Sequence, residues 1–487
     1  MSDIIVSKKV EGSLALRYLE QRIPSELTGF TGKTVNKLVE ADLGIAIEKA
    51  MCESMVRVNN GSLMIFNGKS YVEFNNSELR GFLSHLLGKS GVGSIYRFNS
   101  ARAIAAYLEC SILIPTYNPS KEIISFNNTV LTLCDMKTHN HDQKWETNIQ
   151  LDFDYDPKAK CDRFRQYLTD VLPNEDVQKV LQEFLGLIFV DRSKYNVEAS
   201  LYLLGKGGNG KGVIYELINQ ILGKDNVSAY SMYDLTEHNN ADYKIAEANG
   251  KLLNFCADME DKDFSGGKYK AISSGEAVMA RAPGKEPFKA TQMPLLAANV
   301  NKLPITRDTS DGYYRRNKII PFDRQFTEET ADKTLKFKLR QEIPGIFNWI
   351  MEGRKRIMDQ EGNFTRSEII DKAARKAKVE SNSSLLFMEY MGYFTEMAEG
   401  RYQVQVKASD LFREYTEFCN DSGYARKGQN KFGNDLVNDG AQKGSGRSAY
   451  TYYLYKQADD YVAPNDKDVA PNDKDVDKKE VQDSLPF

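Results

Sequence analysis

The spacing of hydrophobic residues changes along the chain and divides it into regions. Residues 1–60 have helical spacing, whereas short alternating runs separated by Asn and Gly predict small strands among helices over residues 61–170. Residues 171–330 begin with a helical pattern at 176–190 and then alternate between short apolar runs and helical segments. This alternation predicts an α/β core with a parallel sheet, preceded by an α+β accessory region.

The patterns after this core predict a helical segment, a small module and a tail. Residues 331–384 are helical by pattern, with an interruption at Ile343–Gly345, and their closing polar run SNSS predicts a linker. Residues 385–457 predict a compact module that ends in a strand. Residues 458–487 repeat the polar segment VAPNDKD, which cannot bury a core, and are predicted to be disordered.

Composition and charge narrow the class of protein. Of the 487 residues, 41% are hydrophobic and 27% charged, which is typical of soluble multidomain proteins. The amino terminus lacks the apolar segment of a secretory signal, no apolar run could span a membrane, and the six cysteines form no C-x-x-C pair, so we expect a cytoplasmic protein. The net charge of −3 combines an acidic tail with a basic module over residues 401–456, which weakly indicates nucleic-acid binding.

A glycine-rich segment, GKGGNGK, lies between a strand-like run and a helical run, as a phosphate-binding P-loop requires. Glycines let backbone N–H groups surround phosphates, and Lys211 can reach the terminal phosphates of ATP. Gly212 stands where Ser or Thr usually binds Mg²⁺, so the ion must rely on water, phosphate oxygens and another acidic residue. The predicted ATP-binding residues are Gly205, Lys206, Gly207, Gly208, Asn209, Gly210, Lys211 and Gly212.

Two alternatives to ATP binding remain for this segment. Gly205, Gly207 and Gly210 also satisfy the G-x-G-x-x-G pattern of dinucleotide-binding folds, with Asp225 as a nominal ribose ligand. However, Asp225 lies in a polar loop after a helix instead of ending a second strand, and that fold gives Lys211 no phosphate to bind. A glycine-rich turn without any ligand is the other alternative.

Three further elements carry polar side chains suited to phosphoryl transfer. Asp258 ends the apolar run KLLNFCAD and can bind Mg²⁺, and Glu260 or Asp261 just after it can orient the attacking water. Asn299 follows the apolar run PLLAA, from which it can reach the γ-phosphate. Arg315 and Arg316 precede a final apolar run, and an arginine can stabilise the charge of the transferred phosphoryl group.

The order and spacing of these four elements, with SGEAVMARAPGKEPFKA between the second and third, resemble the superfamily 3 helicases, and most closely the phage, plasmid and poxvirus primase-helicase family. SFNNTVLTL, FDYDPKAKCDRFRQYL and IPGIFNW are also similar to that family, so the resemblance covers about residues 60–456. It implies a P-loop ATPase of the AAA+ type that forms a hexameric ring around single-stranded DNA. The primase domain that many members carry in front is not expected here.

The resemblance also implies roles for particular residues. Lys211 would bind phosphate, Asp258 would bind Mg²⁺, and Asn299 would act as the sensor of the γ-phosphate. Arg315 would be the finger supplied to a neighbouring subunit, with Arg316 as a second candidate. The sequence departs from the family pattern at Gly212, which has no hydroxyl group, and at Ala257, where many superfamily 3 members have a second acid.

Two basic surfaces are expected to contact DNA. The first is the region that corresponds to the family's pore hairpin, where Lys285 lies near the turn. The second is the module at residues 385–457, which resembles a winged-helix domain with a recognition helix in the run QNKFGNDLV, although a protein-binding module is an open alternative. The predicted DNA-binding residues are Arg281, Lys285, Lys289, Arg426, Lys427, Lys431, Lys443 and Arg447.

The end of the chain, VQDSLPF, predicts a tethered partner-binding peptide. It resembles the peptide that binds bacterial sliding clamps, with Gln482, Leu485 and Phe487 as anchors. It also resembles the acidic Pro-Phe tip of bacterial single-stranded DNA-binding proteins, and a merely solvated terminus is a third possibility. Together the motifs and the resemblance imply an ATP-driven replicative DNA helicase in the cytoplasm, that of a bacterial host if a phage encodes it, with origin recognition as a further expected activity. The alternative is an ATP-switched DNA-binding initiator or loader without sustained unwinding.

Overall fold

The computed structural model describes residues 14–27, 37–52, 55–59, 62–89, 98–195, 197–237, 240–259, 264, 266–284, 286–304, 311–327, 332, 334–445 and 450–457. The chain divides into two compact units, Met1–Ala377 and Lys378–Phe487. None of the described helices is both long and apolar enough to cross a bilayer.

The first part of the larger unit combines helices with an antiparallel sheet of order β1-β2-β3. Its helices are α1 (Leu14–Glu26), α2 (Lys37–Cys52), α3 (Asn76–Lys89) and α4 (Phe98–Glu109), and its strands are β1 (Val56–Asn59), β2 (Ser62–Phe66) and β3 (Tyr71–Phe74). Apolar residues of all four helices and of the sheet share one core. This mixture of helices and short strands agrees with the α+β pattern predicted from the sequence.

A second small antiparallel sheet leads into the main core. It contains β4 (Ile123–Ser125), β5 (Val130–Thr132) and β6 (Lys137–His139), and is followed by α5 (Asp162–Val171), α6 (Glu175–Leu187) and α7 (Arg192–Tyr195). Helix α6 confirms the helix predicted at 176–190. Apolar residues of β4 and β5 join the same core as α5, α6 and the sheet that follows, so this core continues across residue 170.

The centre of the larger unit is a parallel five-stranded sheet of order β13-β7-β12-β9-β8, which confirms the predicted α/β core. The strands are buried because helices and loops cover both faces of the sheet. Its elements are β7 (Ser200–Leu204), α8 (Lys211–Leu222), β8 (Val227–Ser228), α9 (Met232–Thr236), α10 (Ala241–Ala248), β9 (Leu253–Cys256), α11 (Gly266–Ser274), the hairpin strands β10 (Val278–Ala280) and β11 (Phe288–Ala290), β12 (Leu295–Val300), α12 (Asp311–Arg316) and β13 (Asn317–Pro321).

Helices follow the sheet, as the sequence predicts for residues 331–384. They are α13 (Leu335–Arg340), α14 (Ile343–Asp359) and α15 (Glu368–Glu380), which crosses the boundary between the two units. The interruption predicted around Pro344 is the start of α14, where proline fits because the first turn of a helix needs no N–H donor.

Helices α6 and α14 approach each other closely at two glycines. A Cβ atom on Gly353 would lie 2.1 Å from the carbonyl oxygen of Gln182, and one on Gly186 would lie 2.1 Å from the amide nitrogen of Arg354. The side-chain amide of Gln182 donates to the carbonyl of Trp349 at 2.7 Å. Backbone therefore packs against backbone at these two glycines, which leave no room for a Cβ atom.

The smaller unit packs three helices on one face of an antiparallel sheet. The sheet runs β14-β17-β15, and β16 also pairs with β17. Its elements are α16 (Ser383–Tyr390), β14 (Tyr393–Phe394), β15 (Arg401–Lys407), α17 (Ala408–Ser422), α18 (Gln429–Asn438), β16 (Gln442–Ser445) and β17 (Tyr450–Gln457). The run SNSS, predicted to be a linker, contains the connection between α15 and α16: Ser381 and Asn382 lie between the helices and Ser383 begins α16. Asn382 caps α16 by accepting a hydrogen bond from the amide of Ser384 at 3.0 Å.

Candidate phosphate site and basic surfaces

The glycine-rich segment forms a tight loop between β7 and α8, as the sequence predicts. Gly208 and Gly210 have φ values of +74° and +95°, in the left-handed region that favours glycine. A Cβ atom on Gly205 would lie 2.2 Å from the side-chain nitrogen of Asn209 and 2.6 Å from the carbonyl oxygen of Phe322. The loop therefore needs glycine at these positions to fold back over the start of α8.

The ammonium of Lys211 lies under this loop. The side chain donates to the carbonyl oxygen of Gly205 and, at 3.0 Å, to Oδ1 of Asn209, whose own amide donates to the carbonyl of Phe322 at 3.0 Å. Lys211 is only 6% exposed, and burial lowers the pKa of its ammonium, whereas the carboxylate of Asp258 acts in the opposite direction. The ammonium of Lys211 has only neutral oxygens as partners. It would bind an anion more strongly than it binds them, because hydrogen bonds between charged groups are stronger.

Two residues that the sequence analysis did not identify hold the loop from outside. The hydroxyl of Tyr167, on α5, donates to the carbonyl oxygen of Gly210 at 2.8 Å. The amide of Phe326 donates to the carbonyl oxygen of Gly208 at 2.8 Å. These contacts come from segments more than 30 residues away in the chain, so no local sequence signal could have found them.

Asp258 and Asn299 lie at the same edge of the sheet as the loop. Strand β12 pairs with both β7 and β9, and Asn299 stands opposite Leu203 in the register. Asp258 follows the end of β9 and is exposed, and the amide of Met259 donates to the backbone carbonyl of Asn299 at 3.2 Å. Parallel strands thus bring Lys211, Asp258 and Asn299 to one carboxyl edge, where open α/β sheets bind their ligands. Glu260 and Asp261 lie outside the described residues.

The side chain of Asn299 carries an unsatisfied acceptor. The residue is 7% exposed, and its Oδ1 atom is buried without a hydrogen-bond partner among the described residues. Leaving a buried carbonyl oxygen unpaired costs on the order of 1–3 kcal/mol. The unpaired Oδ1 atom of Asn299 at this sheet edge therefore indicates that a ligand or a water molecule supplies its hydrogen-bond donor.

The dinucleotide alternative has no counterpart in this geometry. Asp225 lies in the turn before β8, whereas a ribose-binding acid would follow the carboxyl end of that strand. Its backbone carbonyl accepts a hydrogen bond from Lys251 at 2.6 Å.

Donors for Mg²⁺ at the sheet edge are few. Among the described residues no three His, Cys, Asp or Glu side chains come together. The exposed carboxylate of Asp258 is one hard oxygen ligand, and Gly212, at the start of α8, adds none. This donor set fits an ion that keeps most of its water and is shared with phosphate oxygens.

Arg315 and Arg316 both pair with Glu198, a residue that the sequence analysis did not identify. Arg316 contacts Oε1 at 2.6 Å and its side chain is 12% exposed, whereas Arg315 contacts Oε2 at 3.0 Å and its side chain is 73% exposed. Burial raises the pKa of Glu198, but hydrogen bonds from Ser274 and Arg315 and the charge of Arg316 outweigh it, so the pKa lies below its usual value. Arg316 is thus held by pairing within the chain, whereas the side chain of Arg315 is mostly exposed to solvent.

The region that the sequence analysis compares with the family's pore hairpin contains β10 and β11, which pair antiparallel. Arg281, just after β10, and Lys289, in β11, are exposed. Lys285 at the turn lies outside the described residues. The described residues therefore expose one cation at the end of β10 and one within β11.

The predicted DNA-binding residues of the smaller unit differ in their surroundings. Arg426, Lys431 and Lys443 are exposed, and Arg447 lies outside the described residues. Lys427 instead donates to Asn382 and to Asp435, both at 2.6 Å, and its side chain is 17% exposed. Its charge is compensated within the unit. The proposed partner-binding residues Gln482, Leu485 and Phe487 also lie outside the described residues.

Family comparisons match two stretches of the chain. Residues 20–173 match the family described as D5 N terminal like, and residues 203–316 match a family of unknown function, DUF5906. The second match contains the glycine-rich loop, Asp258, Asn299 and both arginines. Neither stretch reaches half of the chain.

Individual proteins are similar over different extents. The chain is 30% identical over 191 residues to the protein named "Putative helicase L207/L206" of Acanthamoeba polyphaga mimivirus, which is 38% of this chain and 19% of that protein. Two apo structures of the NrS-1 C-terminal region each cover 82% of this chain and 95% of their own, at 12% identity and TM-scores of 0.47 and 0.43. The D5 match and the mimiviral helicase support the resemblance to the phage and viral primase-helicase family.

Proposed function

We propose that the chain is an ATP-dependent DNA helicase of the phage and viral primase-helicase type, with a P-loop ATPase core of the superfamily 3, AAA+ class. The observation that carries the proposal is the buried ammonium of Lys211, held by neutral oxygens under a glycine loop at the carboxyl edge of a parallel sheet. Backbone N–H groups of the loop and the start of α8 favour the phosphates of ATP, and Lys211 neutralises the terminal ones.

The other residues of the sheet edge have roles that follow from their chemistry. Asp258 would hold Mg²⁺, and the bound ion would neutralise part of the negative charge of the phosphates. The unpaired oxygen of Asn299 accepts a hydrogen bond from a water placed beside the γ-phosphate, which suits a sensor of that phosphate. Arg315 is exposed and therefore available to a neighbouring subunit of a ring, while Arg316 positions it through their common partner Glu198.

Several basic side chains support DNA as the partner. Arg281 and Lys289 on the exposed hairpin, with Lys285 between them, would contact the backbone of a single strand inside a hexameric ring. Arg426, Lys431 and Lys443, with Arg447, would contact duplex in the manner of a winged-helix domain. The tail ending at Phe487 would bind a host sliding clamp or the machinery of a single-stranded DNA-binding protein.

The proposal is tested by measuring ATP hydrolysis and strand displacement on a forked DNA. We expect hydrolysis that single-stranded DNA stimulates, together with displacement of the labelled strand. Hydrolysis without displacement would contradict the helicase and favour the loader without sustained unwinding, the alternative suggested by the missing hydroxyl at Gly212. No hydrolysis under any condition would contradict both.

Gly212→Ser is expected to retain or increase ATP hydrolysis and to reach half-maximal rate at a lower Mg²⁺ concentration. A Cβ atom at Gly212 meets no atom within 4 Å and the residue is exposed, so the new hydroxyl fits and adds a magnesium ligand. A magnesium titration of both proteins checks this, with Gly212→Ala as the control that adds only the carbon. A strong loss of activity in both variants would show that the backbone there needs glycine.

A further inference from the structure

The sheet of the smaller unit has an unusual composition. Strands β14 to β17 contain four Lys or Arg residues, seven aromatic residues and no Asp or Glu, in a chain with 68 acidic and 65 basic residues. The strands therefore bring cations and aromatic rings together without any carboxylate of their own, and the residues are divided between the two faces of the sheet. Phosphate-bearing polymers with flat bases have the complementary chemistry.

Within the described part of the smaller unit, helices pack on only one face of this sheet. Val404, Val406, Tyr452 and Leu454 pack into the core formed with α16, α17 and α18. Because side chains alternate along a strand, the residues between them point to the other face. We call this other face the open face; its cations are Arg401 and Lys407, its rings are Phe394, Tyr453 and Tyr455, and Gln403 and Gln405 lie between them.

The open face is accessible. Gln403, Gln405 and Lys407 on β15 are exposed, and Tyr453 and Tyr455 on β17 are half-buried. In the register Gln403 stands opposite Tyr455, and Gln405 stands opposite Tyr453. Aromatic rings thus lie beside amide side chains, which can donate and accept hydrogen bonds at base edges.

Contacts on the open face hold these groups in place. A Cβ atom on Gly444 would lie 2.7 Å from Cε2 of Tyr453, so this ring lies close over the backbone of β16. The guanidinium of Arg401 lies 3.6 Å from the ring centroid of Phe394, and Gln405 donates to the hydroxyl of Thr451 at 3.2 Å. Rings that are already ordered lose little side-chain entropy when a ligand stacks on them.

We propose that the open face binds single-stranded nucleic acid, with bases stacked on Tyr453 and Tyr455 and phosphates near Arg401 and Lys407. This surface lies on the opposite side of the sheet from α18, the helix expected to contact duplex. The smaller unit would therefore hold a separated strand and a duplex on different faces. The inference rests on the proposed function in one respect only: that function identifies the bound nucleic acid as DNA.

The test is equilibrium binding of the full-length protein to a fluorescein-labelled oligothymidylate, without nucleotide, measured by fluorescence anisotropy. We expect Gln405→Glu, which places a carboxylate on the open face, and Tyr455→Leu, which removes a stacking ring, each to weaken binding about 10-fold, or ~1.4 kcal/mol. Gln143→Glu makes the same charge change at an exposed loop of the larger unit and should leave the affinity unchanged. Thermal unfolding of each variant verifies the fold.

A second measurement places the DNA on the sheet. An oligonucleotide containing 5-iodouracil is crosslinked to the wild-type protein by light, and the adduct is mapped by mass spectrometry. We expect adducts on the peptide that contains Tyr453 and Tyr455, and we expect them to be lost when unlabelled single strand is added in excess. An equal excess of duplex should compete less well.

Wild-type affinity in both folded sheet variants, or equal weakening in Gln143→Glu, would overturn the inference, as would adducts confined to other peptides. Those results would leave the proposed function standing, because ATP hydrolysis and strand displacement are measured separately. Conversely, weaker binding in the sheet variants of a protein that neither hydrolyses ATP nor displaces a strand would contradict the proposed function and support the inference.

Discussion

Lys211→Ala is expected to reduce ATP hydrolysis by roughly 10²–10³-fold or more while leaving the unfolding temperature nearly unchanged. The ammonium is the buried cation under the loop, so its loss removes the charge that faces the terminal phosphates. Its hydrogen bonds in the free protein go to Gly205 and Asn209, within its own loop, so the fold should depend little on it. A coupled assay of phosphate release at saturating ATP provides the measurement.

The matched control is Lys224→Ala, at an exposed turn just beyond the other end of α8. It removes an identical charge and should hydrolyse ATP at the wild-type rate. If Lys211→Ala retained wild-type turnover, the loop would not be the phosphate site, and a glycine-rich turn without a ligand would be the better interpretation.

Gly353→Ala is expected to lower the free energy of unfolding by about 1–3 kcal/mol or more, the usual cost of overpacking a core. The added Cβ atom would lie 2.1 Å from the carbonyl oxygen and 2.4 Å from the carbonyl carbon of Gln182, so α6 and α14 would have to separate. Backbone atoms cannot rotate out of the way as the end of a flexible side chain can. Denaturant or thermal unfolding of the full-length protein measures the effect.

Gly81→Ala is the control with the opposite expected sign. Gly81 lies inside α3, and a Cβ atom there meets nothing within 4 Å, so alanine should stabilise the helix by about 0.5–1 kcal/mol. If both substitutions changed the free energy of unfolding equally, the close approach of α6 and α14 would not be the reason why glycine is needed at position 353.

Local patterns were enough to predict the elements that carry the candidate site. The apolar runs before Lys211 and around Asp258 and Asn299 became β7, β9 and β12, because short buried runs between helical segments have few other ways to fold. Their parallel pairing follows from the alternation with helices. The convergence of the three residues on one sheet edge was therefore implicit in the sequence, although the strand order was not.

The contacts that complete the site could not be predicted in this way. Tyr167 and Glu198 reach the loop and the arginine pair from other parts of the chain, and a single sequence carries no record of such pairings. The run SNSS predicts a linker but not the helix cap within it, because asparagine and serine favour both loops and helix caps and only the position of Asn382 before α16 decides between them. The sequence predicts that Lys427 contacts DNA, but it does not show the carboxylate of Asp435 that lies beside this ammonium.

The shared carboxylate of Glu198 sets the energetic cost of moving Arg315. Two guanidiniums share one carboxylate, so the three side chains carry a net charge of +1. When Arg315 turns away, Glu198 and the buried Arg316 remain as a neutral pair, and no charge is left uncompensated in the interior. The step therefore costs only about what a solvent-exposed ion pair contributes, roughly 0–1 kcal/mol. Arg315 can therefore leave Glu198 for another partner at little cost in free energy, while Arg316 keeps its ion pair and holds the end of α12 in place.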